Sequence, residues 1–415
     1  MKNLLYLVHR VPYPPNKGDK ISSFNLLRYF STRYSVYLGT FVDDPEDRQY
    51  LDTVREYCAD SCFVDLNPKT AKIASLRGLL TGEALTLAYY RNPRLKAWVE
   101  RVFADSPPDA VLMYSGAMGQ YVPDDLPPGV PSVFIMEDID SDKWRSYAAT
   151  KPWPLSWLYA RESKQLLAFE RAKARSFDVS VFISPEESRL FQEMAPEVAE
   201  KVTYRTQGVD SDFHDPAVDL EDPYPKDCQP LVFCGAMDYW PNVDAVVWYV
   251  EEVLPRVREQ VPEVLFCIVG MNPTEQVRKL AEQPNVRVTG SVPDVRPYVR
   301  HAHAAVLPLR IARGIQNKAL EAMSMETPVI ATPDALNGII ACPEFKPHVC
   351  HSADELVDAT LEQLRQAGRR DPGGRACVLR HYNWDANLRR IGQMLETGQV
   401  AEAESMTLFS SKLQN

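Results

Sequence analysis

Residues 310–323 combine a glycine-containing loop, several cations and the start of a predicted helix. Free backbone N–H groups and the positive end of a helix dipole suit a phosphate group. Arg310, Arg313 and Lys318 add full positive charges, and Arg side chains can bind phosphate oxygens through two hydrogen bonds. Glu321, one turn into the helix, can accept hydrogen bonds from a ribose diol. The alternative is a surface ion pair between Lys318 and Glu321, which are three residues apart.

A second candidate lies in the loop that follows the first predicted strand, at residues 17–20. Gly18 would let a ligand approach the backbone closely, just before the next helix begins. The alternative is a turn shaped by the preceding prolines and asparagine. The segment does not have the GxGxxG spacing, so it is not a dinucleotide signature.

A third candidate is the acidic segment 137–142, which contains four carboxylates after another predicted strand. A carboxylate at the carboxyl end of a strand can act as a general base or stabilise developing positive charge. Asp138 and Asp140 also have the spacing of a divalent metal pair. In the alternative interpretation, Ser141 or Asp142 caps the next helix and the other side chains are solvated.

Strands that alternate with helices predict parallel sheets covered on both faces, and ligands bind at the carboxyl ends of such strands. The pattern restarts near residue 230, which indicates two α/β domains. The predicted strands are 4–8, 34–41, 108–114, 131–136, 231–235, 264–270, 285–289, 304–309 and 328–331. The predicted division is an N-terminal domain at 1–215, a linker at 216–229, a C-terminal domain at 230–382, a final helix at 383–398 and a tail at 399–415.

Composition excludes several classes of protein. The net charge of −10 argues against a nucleic-acid-binding protein, which needs a surplus of cations. No apolar stretch is long enough to span a bilayer, and the P-loop and GxSxG motifs are missing. The eight cysteines do not predict a disulfide framework, and a reducing cytoplasm is the simplest location.

Two segments of the N-terminal half, 69–90 and 153–169, are both apolar and basic. Such segments can lie at a membrane interface, and they can equally cover the core of their own domain. The net charge of the whole chain makes strong adhesion to anionic lipid less favourable.

The C-terminal half resembles a GT-B glycosyltransferase of the family 4 type. The matching motifs occur in order between about residues 200 and 335, at 207–213, 233–238, 269–270, 288–294, 314–323 and 327–329. Segments 7–20 and 140–144 are similar to the sugar transferase associated with exosortase/PEP-CTERM systems and exopolysaccharide synthesis. The resemblance implies two Rossmann-like doubly wound domains with a cleft between them.

The resemblance also implies roles for individual residues. Glu321 corresponds to the second Glu of the family's paired-glutamate motif, and Arg313 replaces the first. The family's Arg and Lys after the first C-domain strand are missing, so the cations of segment 310–318 are expected to neutralise the diphosphate. Asp138, then Asp140, are the expected catalytic carboxylates. The residues expected to bind the donor are Gly18, Gly235, Gly290, Val292, Arg310, Arg313, Gly314, Ile315, Gln316, Lys318 and Glu321.

The predicted function is therefore transfer of a sugar from a nucleotide-diphosphate sugar to a glycan or polyprenyl-linked glycan in exopolysaccharide synthesis. The resemblance implies retention of configuration and no metal or other cofactor. It also implies a cytoplasmic enzyme that can contact the inner face of the membrane, with no nucleic-acid partner. A nucleotide-sugar epimerase of the same fold and a non-catalytic scaffold are the alternatives.

Overall fold

The computed structural model of the chain describes residues 1–15, 18–206, 208–312, 315–366, 368–401 and 409. The chain forms two compact units. The first unit consists of Met1–Thr206 and Asn387–Ala403, and the second contains Gln207–Ala386 and Phe409.

The first unit is built around a seven-stranded parallel sheet. Its strands are β1 (Lys2–Val8), β2 (Tyr34–Val42), β3 (Asp60–Asp65), β4 (Ala110–Tyr114), β5 (Ser132–Glu137), β6 (Val179–Phe182) and β7 (Val202–Tyr204). The order across the sheet is β3-β2-β1-β4-β5-β6-β7. Every residue of β4 is buried, as expected of a central parallel strand that is covered on both faces.

Helices cover this sheet and connect its strands. They are α1 (Gly18–Ser31), α2 (Leu51–Arg55), α3 (Pro68–Ser75), α4 (Gly78–Thr81), α5 (Leu85–Tyr89), α6 (Pro93–Asp105), α7 (Asp140–Thr150), α8 (Leu155–Ser176) and α9 (Pro185–Met194). Shorter 3-10 turns occupy Pro45–Tyr50, Gly116–Tyr121 and Pro196–Lys201.

The second unit contains a six-stranded parallel sheet. Its strands are β8 (Gln229–Cys234), β9 (Val264–Val269), β10 (Val286–Gly290), β11 (Ala304–Leu307), β12 (Val329–Ala331) and β13 (His348–Val349), in the order β10-β9-β8-β11-β12-β13. Its helices are α10 (Trp240–Trp248), α11 (Leu254–Gln260), α12 (Glu275–Leu280), α13 (Arg296–His301), α14 (Asn317–Ser324), α15 (Pro333–Leu336), α16 (Ala353–Arg365) and α17 (Pro372–His381). A π-helical turn at Tyr249–Val253 joins α10 to α11.

Both sheets have a point where the strand order reverses. In the first sheet this point lies between β1 and β4, and in the second it lies between β8 and β11. The loops that leave the two neighbouring strands there run in opposite directions, which opens a crevice at the carboxyl edge of the sheet. These two crevices are where the functional side chains are expected.

The division of the chain differs from the predicted one. Segment 216–229, predicted as a linker, lies within the second unit, where the buried Tyr224 donates a hydrogen bond to the carbonyl oxygen of Tyr298 at 2.8 Å. The final helix, α18 (Trp384–Thr397), begins in the second unit and from Asn387 belongs to the first. The side chain of Asn387 donates a hydrogen bond to the carbonyl oxygen of Thr206 at 3.2 Å.

One disulfide corrects the expectation drawn from the cysteines. Cys342 and Cys377 are bonded to each other and buried in the core of the second unit. They are separated by 35 residues, so no local spacing signals the pair. Within the described ranges, no helix has the length and apolar character to cross a membrane.

Candidate functional site

In the second unit, the crevice is formed by the loops after β8 and β11. Gly235 directly follows β8, and a Cβ atom there would lie 2.7 Å from the Nδ2 atom of Asn242 and 3.4 Å from the Nζ atom of Lys318. Glycine is required at this position because the space is filled by those two polar side chains. The end of β8, the start of α10 and the start of α14 therefore meet at one point.

Lys318 is the central cation of this crevice. Its Nζ donates a hydrogen bond to Oδ1 of Asn242 at 2.5 Å and lies 4.7 Å from the centre of the Phe233 ring. Asn242 is buried, and its Nδ2 donates a hydrogen bond to the carbonyl oxygen of Ala236 at 2.9 Å. This second bond fixes the orientation of the amide, so its oxygen faces the ammonium group.

Burial lowers the pKa of Lys318 to about 8, although the nearby Glu321 carboxylate and Cys234 act in the opposite direction. The ammonium group is therefore the main form below about pH 8. Since its only described hydrogen-bond acceptor is a neutral amide, its charge is available to an anion.

The first turn of α14 adds further donors and an acceptor. Within the described residues, the backbone N–H groups of Asn317 and Lys318 have no hydrogen-bond acceptor, and the side chain of Gln316 does not cap the helix. The carboxylate of Glu321 is partly buried and accepts no hydrogen bond from the described part of the chain. This arrangement can bind an anion and a diol side by side.

The loops after β9 and β10 close the same edge. A Cβ atom at Gly270 would lie 1.6 Å from the carbonyl oxygen of Gly235, so no side chain fits there. The N–H of Gly270 donates to the carbonyl oxygen of Gly290 at 3.2 Å, and Gly290 has a φ of +70°, which favours glycine. Val292 is partly buried against the core of the unit.

In the first unit, the crevice contains Asp140. This residue begins α7, and its Oδ2 lies 3.7 Å from where a Cβ atom at Gly116, just after β4, would be. Burial raises the pKa of Asp140 against the opposing charge of Lys143, and the negative charge of Asp138 raises it further. Asp138 is exposed and makes no hydrogen bond or ion pair with the described residues.

An ionic cluster at the end of β1 was not predicted from the sequence. Nε2 of His9 and a guanidinium nitrogen of Arg10 lie 3.3 Å and 3.1 Å from the same carboxylate oxygen of Asp19. Arg10 also lies 3.2 Å from Asp43, and the His9 ring stacks on Tyr114 with centroids 6.2 Å apart. The only signal in the sequence was that His9 and Arg10 immediately follow a buried strand.

This cluster has one strongly ionised carboxylate. Burial alone would raise the pKa of Asp19, but the hydrogen bond from His9 and the charge of Arg10 lower it to about 2. The electrostatic influence of His9 reaches Asp140 as well. The end of β1, the loop after β4 and the start of α7 thus form a second polar centre.

Comparison with known proteins identifies the architecture. Residues 229–366, about a third of the chain, match the model of a family described as “Glycosyl transferases group 1”. Sucrose-phosphate synthase from Thermosynechococcus elongatus is 16% identical with a TM-score of 0.65, and the match covers 95% of this chain and 98% of that one. The chain has the GT-B fold.

Two further solved structures share the GT-B fold with this chain. HepE from Anabaena, solved in complex with UDP and glucose, is 12% identical with a TM-score of 0.58, covering 96% of this chain and 100% of that one. WaaG, a glycosyltransferase involved in lipopolysaccharide biosynthesis, is 16% identical with a TM-score of 0.56, covering 95% of both chains. No curated protein matches the sequence.

The cations predicted to bind the donor do not all lie together in the described structure. Arg310 forms two hydrogen bonds with Asp244, at 3.0 and 2.5 Å, and its guanidinium lies 5.1 Å from the Trp248 ring. Its charge is therefore already balanced by a carboxylate. Arg313 and Gly314 lie outside the described residues, and Ile315 packs against the core of the unit.

Gly18, the donor-site glycine predicted in the first GT-B domain, is exposed at the start of α1. A Cβ atom there would have no neighbour within 4 Å. Packing within the chain therefore does not require glycine at this position, in contrast to Gly235.

Glutamate side chains from elsewhere in the chain bind the start of the helix that carries Asp140. Glu170 is buried and accepts hydrogen bonds from the backbone N–H and the hydroxyl of Ser141, at 3.1 and 2.5 Å. Glu187 accepts one from the N–H of Ile139 at 2.9 Å. Burial raises the pKa of Glu170 to about 8, although the hydrogen bonds from Ser141 lower it and the charge of Asp140 adds to the rise. Capping by Ser141 or Asp142, the alternative drawn from the sequence, does not occur.

Proposed function

We propose that this protein is a glycosyltransferase that moves a sugar from a nucleotide-diphosphate sugar to a glycan or lipid-linked glycan in exopolysaccharide synthesis. The observation that carries the proposal is the Lys318 ammonium, which Asn242 holds against Gly235 where the strand order of the second sheet reverses. A cation beside uncapped helix N–H groups is suited to a diphosphate.

In the proposed reaction, the bond from the anomeric carbon to the diphosphate breaks and a bond to the acceptor oxygen forms. Lys318 and the N–H groups of α14 stabilise the charge that develops on the departing diphosphate. The carboxylate of Glu321 accepts hydrogen bonds from the ribose diol, and the base lies along Gly290 and Val292. The acceptor's proton passes to the leaving phosphate, so the configuration is retained, and no metal takes part.

In the first unit, Asp140 is the better candidate for the reacting carboxylate. It lies at the crevice beside Gly116 and within the electrostatic reach of His9, whereas Asp138 is exposed and has no described partner. The order of preference drawn from the sequence is therefore reversed. We assign Asp140 to face the acceptor hydroxyl or the reacting carbon, where a negative charge stabilises an oxocarbenium-like centre.

The first experiment is to measure release of nucleotide diphosphate from a panel of UDP-, GDP-, dTDP- and ADP-sugars, with and without EDTA. The UDP-sugars are tested first because HepE was solved with UDP and with glucose. Release that persists in EDTA supports the proposal, and release abolished by EDTA contradicts its metal-independent form. Conversion of the donor to an isomer, without release of the nucleotide, would indicate an epimerase instead.

The proposed location is the cytoplasm, at the inner face of the cytoplasmic membrane, where nucleotide sugars and lipid-linked glycans meet. Fractionation of cells that produce the tagged protein tests this part. The proposal predicts one of two results. The protein is recovered in the cytosolic fraction, or it is recovered on membranes and released from them by high salt. Secretion of the protein would contradict it.

A further inference from the structure

A cavity of about 320 Å³ opens in the first unit between α3, α5, α7 and α8. Its size is at the lower end of the range for small-molecule pockets, which is about 300–1,000 Å³. The wall is apolar and aromatic, and its main side chains are Leu85, Tyr89, Tyr90, Trp144, Leu158 and Tyr159.

The one carboxylate in the wall is already satisfied by the protein. Glu162 is buried and accepts hydrogen bonds from the N–H groups of Leu85 and Thr86, at 2.7 and 2.8 Å, and from the hydroxyl of Thr86 at 2.7 Å. It therefore offers little to a polar ligand. The cavity is suited to a hydrocarbon chain, because a bound chain removes apolar surface from water and leaves the Glu162 carboxylate with its hydrogen bonds intact.

The surface around the cavity is unusually apolar, and we call it the apolar collar. Its side chains belong to the helices that form the cavity wall and to the turns next to them. Leu80 is 91% exposed, Trp153 80% and Ile73 72%. The other exposed members are Leu76, Leu79, Tyr147, Leu155 and Trp157. Many apolar side chains of segments 69–90 and 153–169 are therefore exposed and do not cover the core of their own domain.

The charge of the collar is opposite to that of the whole chain. Segments 68–83 and 143–164 contain eight Lys and Arg residues and two acidic residues, whereas the chain carries a net charge of −10. Two of these cations, Lys143 and Arg145, form ion pairs with Asp140 and Asp142, and the excess of positive charge remains after they are discounted. Exposed apolar groups with surrounding cations are complementary to an anionic bilayer, which attracts basic residues near its surface.

The cavity also adjoins the polar centre of the first unit. Tyr90 forms part of the cavity wall, and its ring lies edge-on to His9 with centroids 6.3 Å apart. Trp144 lies one turn after Asp140 on α7 and packs on Tyr159 with centroids 5.0 Å apart. The cavity wall therefore shares α7 with the proposed reacting carboxylate and contacts His9 of the polar centre.

We propose that this cavity binds the hydrocarbon chain of the acceptor, presented from an anionic bilayer on which the collar rests. The inference builds on the proposed function, since it selects a lipid-linked acceptor over a free glycan. It assigns chain binding to Leu158, Trp144 and Tyr89, and membrane contact to Leu80, Trp153 and their neighbours.

The test is a calorimetric titration of the full-length protein with farnesyl phosphate, in parallel with isopentenyl phosphate. Both probes carry the same headgroup, so only the chain differs. We expect farnesyl phosphate to bind at least tenfold more tightly than isopentenyl phosphate. Leu158→Trp, which fills the cavity, should lower the affinity for farnesyl phosphate by at least tenfold. Its circular dichroism spectrum should be the same as that of the wild type. Equal affinity for the two probes, or no effect of Leu158→Trp, would overturn the proposal.

Should Leu158→Trp fail to fold, Tyr89→Ala provides an independent change in the same wall, with the same weakening expected. The donor-site variant Lys318→Ala separates the two proposals, because it should lose nucleotide binding and keep farnesyl phosphate binding. If the wild-type protein binds no nucleotide but does bind farnesyl phosphate, the proposed function is contradicted and the cavity assignment stands.

Flotation with phosphatidylglycerol/phosphatidylcholine vesicles tests the collar. The double variant Leu80→Asp/Trp153→Asp should lose most vesicle binding and keep the affinity for farnesyl phosphate in solution. Leu379→Asp, at an exposed leucine of the second unit, is the matched control and should bind vesicles like the wild type. If sedimentation shows a dimer that the double variant abolishes, a second copy covers the collar and the membrane assignment is wrong.

Discussion

In the second unit, the Lys318 ammonium lies between glycine backbone and a neutral amide, whereas in the first unit the two basic side chains at the end of β1 lie beside a carboxylate. Lys318 contacts the oxygen of Asn242, and Gly235 leaves no side chain between them. In the first unit, by contrast, His9 and Arg10 share Asp19. The first arrangement leaves charge available to a ligand anion, and the second uses charge to hold side chains in place.

The contrast is consistent with the roles that we propose for the two units. A departing diphosphate needs an uncompensated cation that is already in position. A carboxylate that faces an acceptor needs a fixed orientation, and Glu170 and Glu187 provide it by binding the start of the helix that carries Asp140. Each of the following experiments would break or sharpen this comparison.

The largest effect is expected for Lys318→Ala. Removing this ammonium group, whose described hydrogen-bond acceptor is a neutral amide, should reduce nucleotide release by about 100-fold to 1,000-fold, within the range found for other electrostatic stabilisers of a transition state. Lys279→Ala, at an exposed lysine of α12, is the control and should retain full activity. An active Lys318→Ala enzyme would mean that the charge of this crevice is not used for the donor.

A comparison of Asp140→Asn with Asp138→Asn tests the first unit. We expect kcat to fall by about 100-fold for Asp140→Asn, with the dissociation constant of the nucleotide unchanged, because the group acts on the reacting atoms. Asp138→Asn should change kcat by less than about threefold, since the exposed side chain has no described partner. The reverse ranking would restore the order suggested by the sequence.

The two predicted donor glycines should respond differently to alanine. Gly235→Ala places a methyl group 2.7 Å from Asn242, so we expect Lys318 to be displaced and nucleotide affinity to fall by about tenfold. The methyl group of Gly18→Ala has no atom of the protein within 4 Å, so the temperature of thermal unfolding should be unchanged. A loss of nucleotide affinity in Gly18→Ala would then show that a ligand approaches this backbone, as the resemblance implies.

The smallest effect concerns pH. The pKa of Lys318 is lowered to about 8, so the free site carries its positive charge below that pH and loses it above. A bound diphosphate favours the charged form, and nucleotide affinity should therefore fall by up to about tenfold between pH 7 and pH 9. Calorimetry between pH 7 and pH 9 measures this change in nucleotide affinity. In the Lys318→Arg variant, the affinity should not change over the same pH range. A wild-type affinity that does not change with pH would place the diphosphate away from Lys318.

Local sequence patterns were enough to predict much of the fold. The apolar runs of β1, β4 and β8 were long enough to indicate buried parallel strands, and the restart of the pattern near residue 230 indicated a second sheet. The helix after the loop at 310–316 was also predicted, as the element that follows the strand at 304–309 and its glycine-containing loop. Four strands were missed, namely β3, β6, β7 and β13. The last three contain only two to four residues, which gives too little periodicity.

Tertiary structure alone decided which loops meet. Asn242 lies 76 residues from Lys318, and Glu170 lies 29 residues from Ser141, so neither pair leaves a local signal. Strand order decided that the loops after β1 and β4 are neighbours, and the Asp140 carboxylate lies beside Gly116 of the second of these loops.

The sequence by itself determined the residue types, the parallel sheets and the helix start at which an anion can bind. The structure decided which charges are free and which are paired, because burial and long-range contacts set those properties. Arg310 illustrates the difference: its sequence position suggested a phosphate ligand, but the fold places Asp244 against its guanidinium. A charged residue's role depends on the partner that the fold brings to it, and that partner is invisible from local sequence.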